Sequence, residues 1–126
     1  MVAPNMARSE VPPPPARLSP RVKVWFETDE GFSFGFGLIE ILQAVGRAGS
    51  IKQAAGDLGR SYRHVWDRIK QAEKSLGRSL VEARVGGQGA RRSALSDDGR
   101  RLVEDFLAVR QRMIEVMERA FSRRSS

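Results

Sequence analysis

The sequence predicts a mainly helical fold with a small β component, and three observations carry that prediction. Two short stretches of helical periodicity, residues 51–58 and 61–76, are separated by a turn at Gly59. A glycine- and arginine-rich segment, VGGQGARRSA over residues 85–94, lies between two short strand-like runs. A single long helical pattern then occupies residues 97–121. Together they describe a helix-turn-helix, a wing and a long closing helix.

Bulk properties narrow the function classes. A chain of 126 residues supports one domain with one core. Hydrophobic residues at 40% and charged residues at 29% are ordinary for a globular protein. The net charge of +7 is large for this size and favours a polyanionic partner, either nucleic acid or an anionic surface. With no cysteine, disulfides, thiolate metal sites and cysteine nucleophiles are excluded. His64 is the only histidine, so a zinc site built from several histidines is excluded too. No apolar run approaches the ~20 residues that span a bilayer. The N-terminus has no continuous hydrophobic stretch of the secretory kind. The expectation is a cytoplasmic protein with no cofactor, no metal and no membrane association.

Residues 1–20 hold all six prolines, including the run Pro12, Pro13, Pro14 and Pro15, and read as a disordered tail. Residues 21–126 form the domain. Over residues 21–27 the alternation is clean: Val22, Val24 and Phe26 share one face, opposite Arg21, Lys23, Trp25 and Glu27. Asp29, Glu30 and Gly31 make a turn. Phe32, Phe34 and Phe36 then alternate as a second short strand and fill core.

The period then changes to that of a helix over residues 37–48, where Leu38, Ile41, Leu42 and Val45 share a face. Gly49 stops it in a left-handed conformation. Ser50 opens the next helix, 51–58, and with Gln53 matches the reciprocal capping box. Ala54, Ala55 and Gly56 are small enough for close helix packing. Gly59 turns the chain, Ser61 caps the third helix and Gly77 ends it. Along that helix Tyr62, Val65, Trp66, Ile69, Ala72 and Leu76 make the apolar side, with Trp66 expected in the core.

Residues 79–84 and 92–95 read as paired strands around a glycine tip. Ser96 caps a last helix with Asp97 and Asp98 in its first turn, where the macrodipole favours negative charge. Leu102, Phe106, Val109, Met113, Val116 and Ala120 form one stripe of that helix, beside Val103, Leu107, Ile114, Met117 and Phe121. Two stripes are more apolar surface than so small a domain covers, so the first is assigned to a partner helix from a second copy.

The chemistry follows from the pattern. The N-terminal residues of the second helix of a helix-turn-helix reach base edges in the major groove. Here these are Ser61, Tyr62, Arg63, His64, Asp67 and Arg68. Arginine donates two bonds to a guanine edge, and an aspartate accepts from cytosine or holds a neighbouring arginine. Ser50, Lys52 and Gln53 on the first helix join this surface. In the wing, Gly86, Gly87, Gln88 and Gly89 let the backbone approach phosphates, and Arg91 and Arg92 add charge. The glycines lack the lysine and following helix of a nucleotide-phosphate loop. A solvated helix face and an ordinary hairpin loop are the plainer readings of the same residues. Ser61, His64 and Asp67 lie on the proposed DNA face, and no nucleophile elbow or carboxylate pair points to an enzyme.

Gly49-Ser50-Ile51, Ala54-Ala55, Ser61-Tyr62, Val65-Trp66 and the segment from Leu80-Val81-Glu82 to Gly86-Gly87-Gln88-Gly89 resemble one family. It is the N-terminal winged helix-turn-helix domain of the molybdate-responsive ModE regulators, relatives of the LysR type. The resemblance covers residues 22–121. It implies a homodimer on palindromic operators, with residues 61–68 at the major groove and residues 86–92 as the wing. The better-known members carry C-terminal oxyanion-binding domains with a serine-alanine-arginine-asparagine type of motif. The sequence to Ser126 contains neither, so no direct molybdate site and no small-molecule effector are expected. Ala90, Arg91 and Arg92 also depart from a wing that is glycine almost throughout.

The leading expectation is a homodimeric, sequence-specific regulator bound to double-stranded DNA. An architectural DNA binder of low specificity shares the charge and the wing. A protein-interaction module that pairs with another regulator shares the long apolar helix.

Overall fold

The computed structural model describes residues 11–85 and 91–125. Its elements are β1 (Trp25–Glu27), β2 (Ser33–Gly35), α1 (Phe36–Ala48), α2 (Ile51–Leu58), α3 (Tyr62–Leu76), β3 (Val81–Val85), β4 (Arg91–Leu95) and α4 (Asp97–Ser125). Both sheets are two-stranded and antiparallel, β1 with β2 and β3 with β4. The expected fold class, mainly α with a small β component and a long C-terminal helix, is the observed one. Residues 1–10 of the expected tail lie outside the described residues, and Val11–Ser19 are exposed without regular secondary structure.

The first hairpin is shorter than the alternation predicts. Trp25 pairs with Gly35 and Glu27 with Ser33, and no rung precedes them. The reason lies in its partner: Phe36, expected in the strand, is already the first residue of α1. Val22 therefore has no strand to lie against and is 41% exposed, while Val24 and Phe26 pack on the core. Phe26 and Phe34 sit 5.6 Å apart between ring centroids.

The core is built around α1, whose Leu38, Ile39, Ile41, Leu42, Ala44 and Val45 are buried. Ala54 and Ala55 of α2 and Val65, Ile69 and Ala72 of α3 pack against it. From α4 come Val103 and Phe106. Phe106 is fully buried, with its ring 5.0 Å from Phe26 and 6.3 Å from Phe34. This corrects its assignment to a partner-facing stripe: the first turns of α4 close this domain's own core, and Leu102 packs there as well. The exposed part of the stripe begins later, with Val109, Met113 and Val116 at 42%, 41% and 45% exposure. Ala120 is exposed beyond them. At the departure point the Arg110 guanidinium lies 4.4 Å over the Phe36 ring.

α4 has 29 residues, and at 1.5 Å per residue it spans about 44 Å. No helix among the described residues is long and apolar enough to cross a membrane.

Candidate nucleic-acid interface

The interface rests on the local chemistry of two turns. Gly49 ends α1 at φ 76°, with its amide bonded to the Val45 carbonyl. Ser50 caps α2, its hydroxyl accepting from the Gln53 amide at 3.0 Å. Only that half of the expected capping box forms: the Gln53 side chain instead donates to Asp57 at 3.0 Å, one turn further along the helix. Gly59, at φ 66°, donates to the carbonyls of Ala55 and Gly56 and sends the chain into α3. Ser61 caps α3 by accepting from the His64 amide at 3.0 Å. These caps satisfy amides that a helix start would otherwise leave free.

Val65, Ile69 and Ala72 fix the buried side of α3. The opposite side therefore faces out. Ser61, Tyr62, Arg63, His64 and Asp67 are exposed. Arg63 Nη1 lies 3.8 Å from Asp67 Oδ1, and both side chains remain largely in solvent. Such an exposed pair contributes little stability and leaves the guanidinium able to exchange partners. Arg68 is placed differently. Five residues from Arg63, it stands about 140° away around the helix axis. It is half-buried and donates to Gln71 at 3.1 Å. The six expected recognition residues thus share the N-terminal end of α3 but not one face.

Trp66 is not in the core. It is half-buried and, with Tyr62, Lys70 and Glu73, forms the stripe of α3 that faces the wing. Tyr62 is 52% exposed. Lys70 Nζ lies 5.6 Å from the Trp66 ring centroid and 3.2 Å from Glu73 Oε1. The second Glu73 oxygen accepts from the amides of Leu80 and Val81, at 2.8 and 3.1 Å. One carboxylate thereby anchors the root of β3 to α3.

The wing strands run Val81–Val85 and Arg91–Leu95, in the register Val81 with Leu95 and Arg84 with Arg92. Ser79 and Leu80, expected in the strand, instead make the junction to α4. The Ser96 hydroxyl donates to the Ser79 carbonyl at 2.6 Å and accepts from the Gly99 amide at 2.9 Å. The Ser96 amide donates to the Leu80 carbonyl at 2.9 Å. A Cβ at Gly99 would collide with that same Leu80 carbonyl oxygen, so only glycine fits. On the other side, the Ser93 amide donates to the Gly49 carbonyl at 2.8 Å and docks β4 against the turn between α1 and α2. Gly86, Gly87, Gln88, Gly89 and Ala90 lie outside the described residues. Arg91 is described only through its backbone pairing with Val85.

Between α3, the start of α2 and the wing lies a cleft of about 760 Å³. Lys52, Lys70, Arg84 and Arg92 line it, together with Tyr62 and Trp66, and among the described residues no carboxylate does. Ser50 borders it, whereas Gln53 does not. Sequence reasoning missed Lys70, Glu73, Arg84, Ser96 as a wing anchor, and Gly99. The spacing Tyr62, Trp66, Lys70, Glu73 carried a signal, since it traces one helical stripe. The hairpin contacts carried none.

A three-helix unit with a two-stranded wing and an exposed, capped second helix is a winged helix-turn-helix. The family profile described as “Bacterial regulatory helix-turn-helix protein, lysR family” matches residues 36–100. The chain belongs to that family. ModE of Escherichia coli (strain K12), a “DNA-binding transcriptional dual regulator”, is 35% identical over 82 residues, 63% of this chain and 31% of ModE. The molybdenum-pterin-binding protein MopB of Rhodobacter capsulatus is 32% identical over 79 residues, covering 63% of this chain and 29% of MopB. The chain thus spans about a third of the length of these curated relatives. Among solved structures, the BenM DNA-binding domain in complex with benA site 1 DNA aligns at TM-score 0.53 and 20% identity. That alignment covers 71% of this chain and 98% of the BenM domain. Full-length LysG of Corynebacterium glutamicum with bound effector aligns at 0.53 and 21%, covering 71% and 29%. These structures share the fold. Residues 36–100 are thus a regulatory helix-turn-helix domain of the lysR family.

Proposed function

We propose that this domain reads a palindromic operator as a homodimer, in a regulator of the ModE type acting on molybdenum-related genes. One observation carries the reading of sequence: Arg63 and Asp67 stand exposed at the N-terminal end of α3, facing away from the core. That is the part of a recognition helix that enters the major groove. Arg63 is the base-reading residue, and Asp67 orients it. Ser61, Tyr62, His64 and Arg68 flank the contact, with Arg68 toward the phosphates. The exposed apolar run Val109, Met113 and Val116 supports the dimer. The names of the relatives, ModE and MopB, support the gene class.

The test is selection of bound duplexes from a random pool by the purified protein, followed by sequencing. The expected result is a palindrome with half-sites centred about 34 Å apart, one helical turn of DNA. Genomic copies of that palindrome beside molybdenum-related genes would identify the targets. Binding without any enriched motif would replace this reading with that of an architectural binder. An unpaired half-site would remove the dimer from it.

A further inference from the structure

Glu73 stands where a helix does not favour a carboxylate. It lies in the last turn of α3, at the negative end of the helix dipole. Its own carbonyl closes that helix by accepting from the Gly77 and Arg78 amides, at 2.8 and 3.2 Å. The side chain is largely withdrawn from solvent, at 13% exposure. Such a placement is costly unless the carboxylate finds donors. Lys70 Nζ meets one oxygen, and the amides of Leu80 and Val81 both donate to the other. Among the described residues no other α3 side chain hydrogen-bonds to the wing or its root.

The consequence is mechanical. β3 and β4 form a two-stranded ribbon, which has little stability of its own. From Glu82 to Val85 the outgoing strand is exposed. Contacts at the root therefore decide where the ribbon points. On the β4 side, Ser93 holds the turn between α1 and α2, and Ser96 holds Ser79 and Leu80. On the β3 side the hold on α3 is Glu73. Leu80 is the shared node: its amide donates to Glu73, and its carbonyl accepts from Ser96. The base-reading end of α3 is remote from this node, since Arg63 lies ten residues before Glu73, about 15 Å along the helix axis.

We propose that Glu73 is a positioning residue for DNA binding: it fixes the wing relative to the recognition helix, so that both engage one duplex at once. It contacts no DNA itself. The inference rests on the DNA reading above, with the wing as a second contact. A wing already in place spares the complex the cost of ordering it on binding.

The chain has no cysteine, so labels go only where a cysteine is introduced. Lys74→Cys on α3 and Val85→Cys on β3 put two spin labels at exposed sites. Paramagnetic resonance then reads the spread of distances between α3 and the wing. Duplex affinity is measured on the unlabelled proteins, by anisotropy of a labelled DNA. In the parent the spread is expected to be narrow. Glu73→Ala removes the acceptor of both amides and should broaden it. Glu73→Gln keeps a carbonyl acceptor without the charge and should fall between the two. Glu73 is no part of the core, so the circular dichroism of a folded domain should be kept. Glu73→Ala should weaken the selected operator and an unrelated duplex by a common factor, on the order of tenfold, as two linked contacts cease to act together. The base preferences set by Arg63 should be unchanged.

A distance spread unmoved by Glu73→Ala would overturn the proposal and leave the DNA reading intact. A broadened spread with undiminished affinity would overturn it by showing that the wing needs no fixed position. A change in base preference would overturn it by making Glu73 act through α3 itself. If the alanine variant loses its fold, the same outcomes are read from Glu73→Gln. Failure of the parent to bind any duplex would overturn both readings.

Discussion

Arg63 and Gly99 show how differently single residues contribute to this molecule. Arg63 sits in solvent and is held only by an exposed contact to Asp67 at 3.8 Å. Its removal leaves no cavity and no orphaned partner, so Arg63→Ala is expected to melt like the parent. On DNA it should lose discrimination at one base pair of each half-site, about 1–3 kcal/mol, with the other positions unchanged. Affinity measured across single-base operator variants reads this directly. An equal loss on every variant would make Arg63 a phosphate contact instead. Gly99 is the reverse case. It is buried where α4 begins, against the Leu80 carbonyl that also accepts from Ser96. Backbone yields less readily than a side chain, so Gly99→Ala should destabilise the fold by about 1–3 kcal/mol. Urea unfolding would show it as a lower midpoint at an unchanged slope.

At the scale of elements, what was legible in the sequence was local, and what was hidden was long-range. The capped ends of α1, α2 and α3 could be read because Gly49, Ser50, Gly59, Ser61 and Gly77 act within one turn of themselves. The recognition helix followed from those caps. The length of β1 could not be read, because it depends on where a different element, α1, begins. Trp66 was misplaced because a four-residue spacing from Tyr62 does not say whether that stripe meets core or wing. Glu73 could not be recognised as the wing anchor, since its amide partners lie seven and eight residues away, past the end of the helix. The same limit applied to α4, whose unbroken apolar stripe changes role along its length. Its first part is core, and Phe106→Ala should therefore destabilise the monomer by about 3–5 kcal/mol, the usual range for a buried phenylalanine. Thermal melting at several protein concentrations separates this from loss of a dimer. The shift should be present at every concentration.

For the whole molecule the decisive question is what α4 does after it leaves the core. One recognition helix reads only a few base pairs, and a palindrome is read when two are held at the spacing of successive major grooves, ~34 Å. A rigid connection is needed to fix that distance. In the proposed dimer α4 supplies one: 29 continuous residues, capped at Ser96, with its first turns bonded to the wing junction. Val109, Met113 and Val116 are spaced four and three residues apart, the step of a helix–helix seam, and are exposed in the single chain. A glutamate pair in that seam would have to be buried against its symmetry mate, which like charges oppose. Val109→Glu combined with Met113→Glu is therefore expected to give a monomer by sedimentation, with the circular dichroism and melting of a folded domain, because neither side chain belongs to the core. On DNA this monomer should keep the base preferences of Arg63 at a single half-site. It should lose the extra affinity that a second half-site provides, a factor of 10² or more when two binding events are linked. A variant that stayed dimeric would move the interface to another face of the domain. One that became monomeric yet still bound the full palindrome as tightly as the parent would show that the two half-sites are not read together.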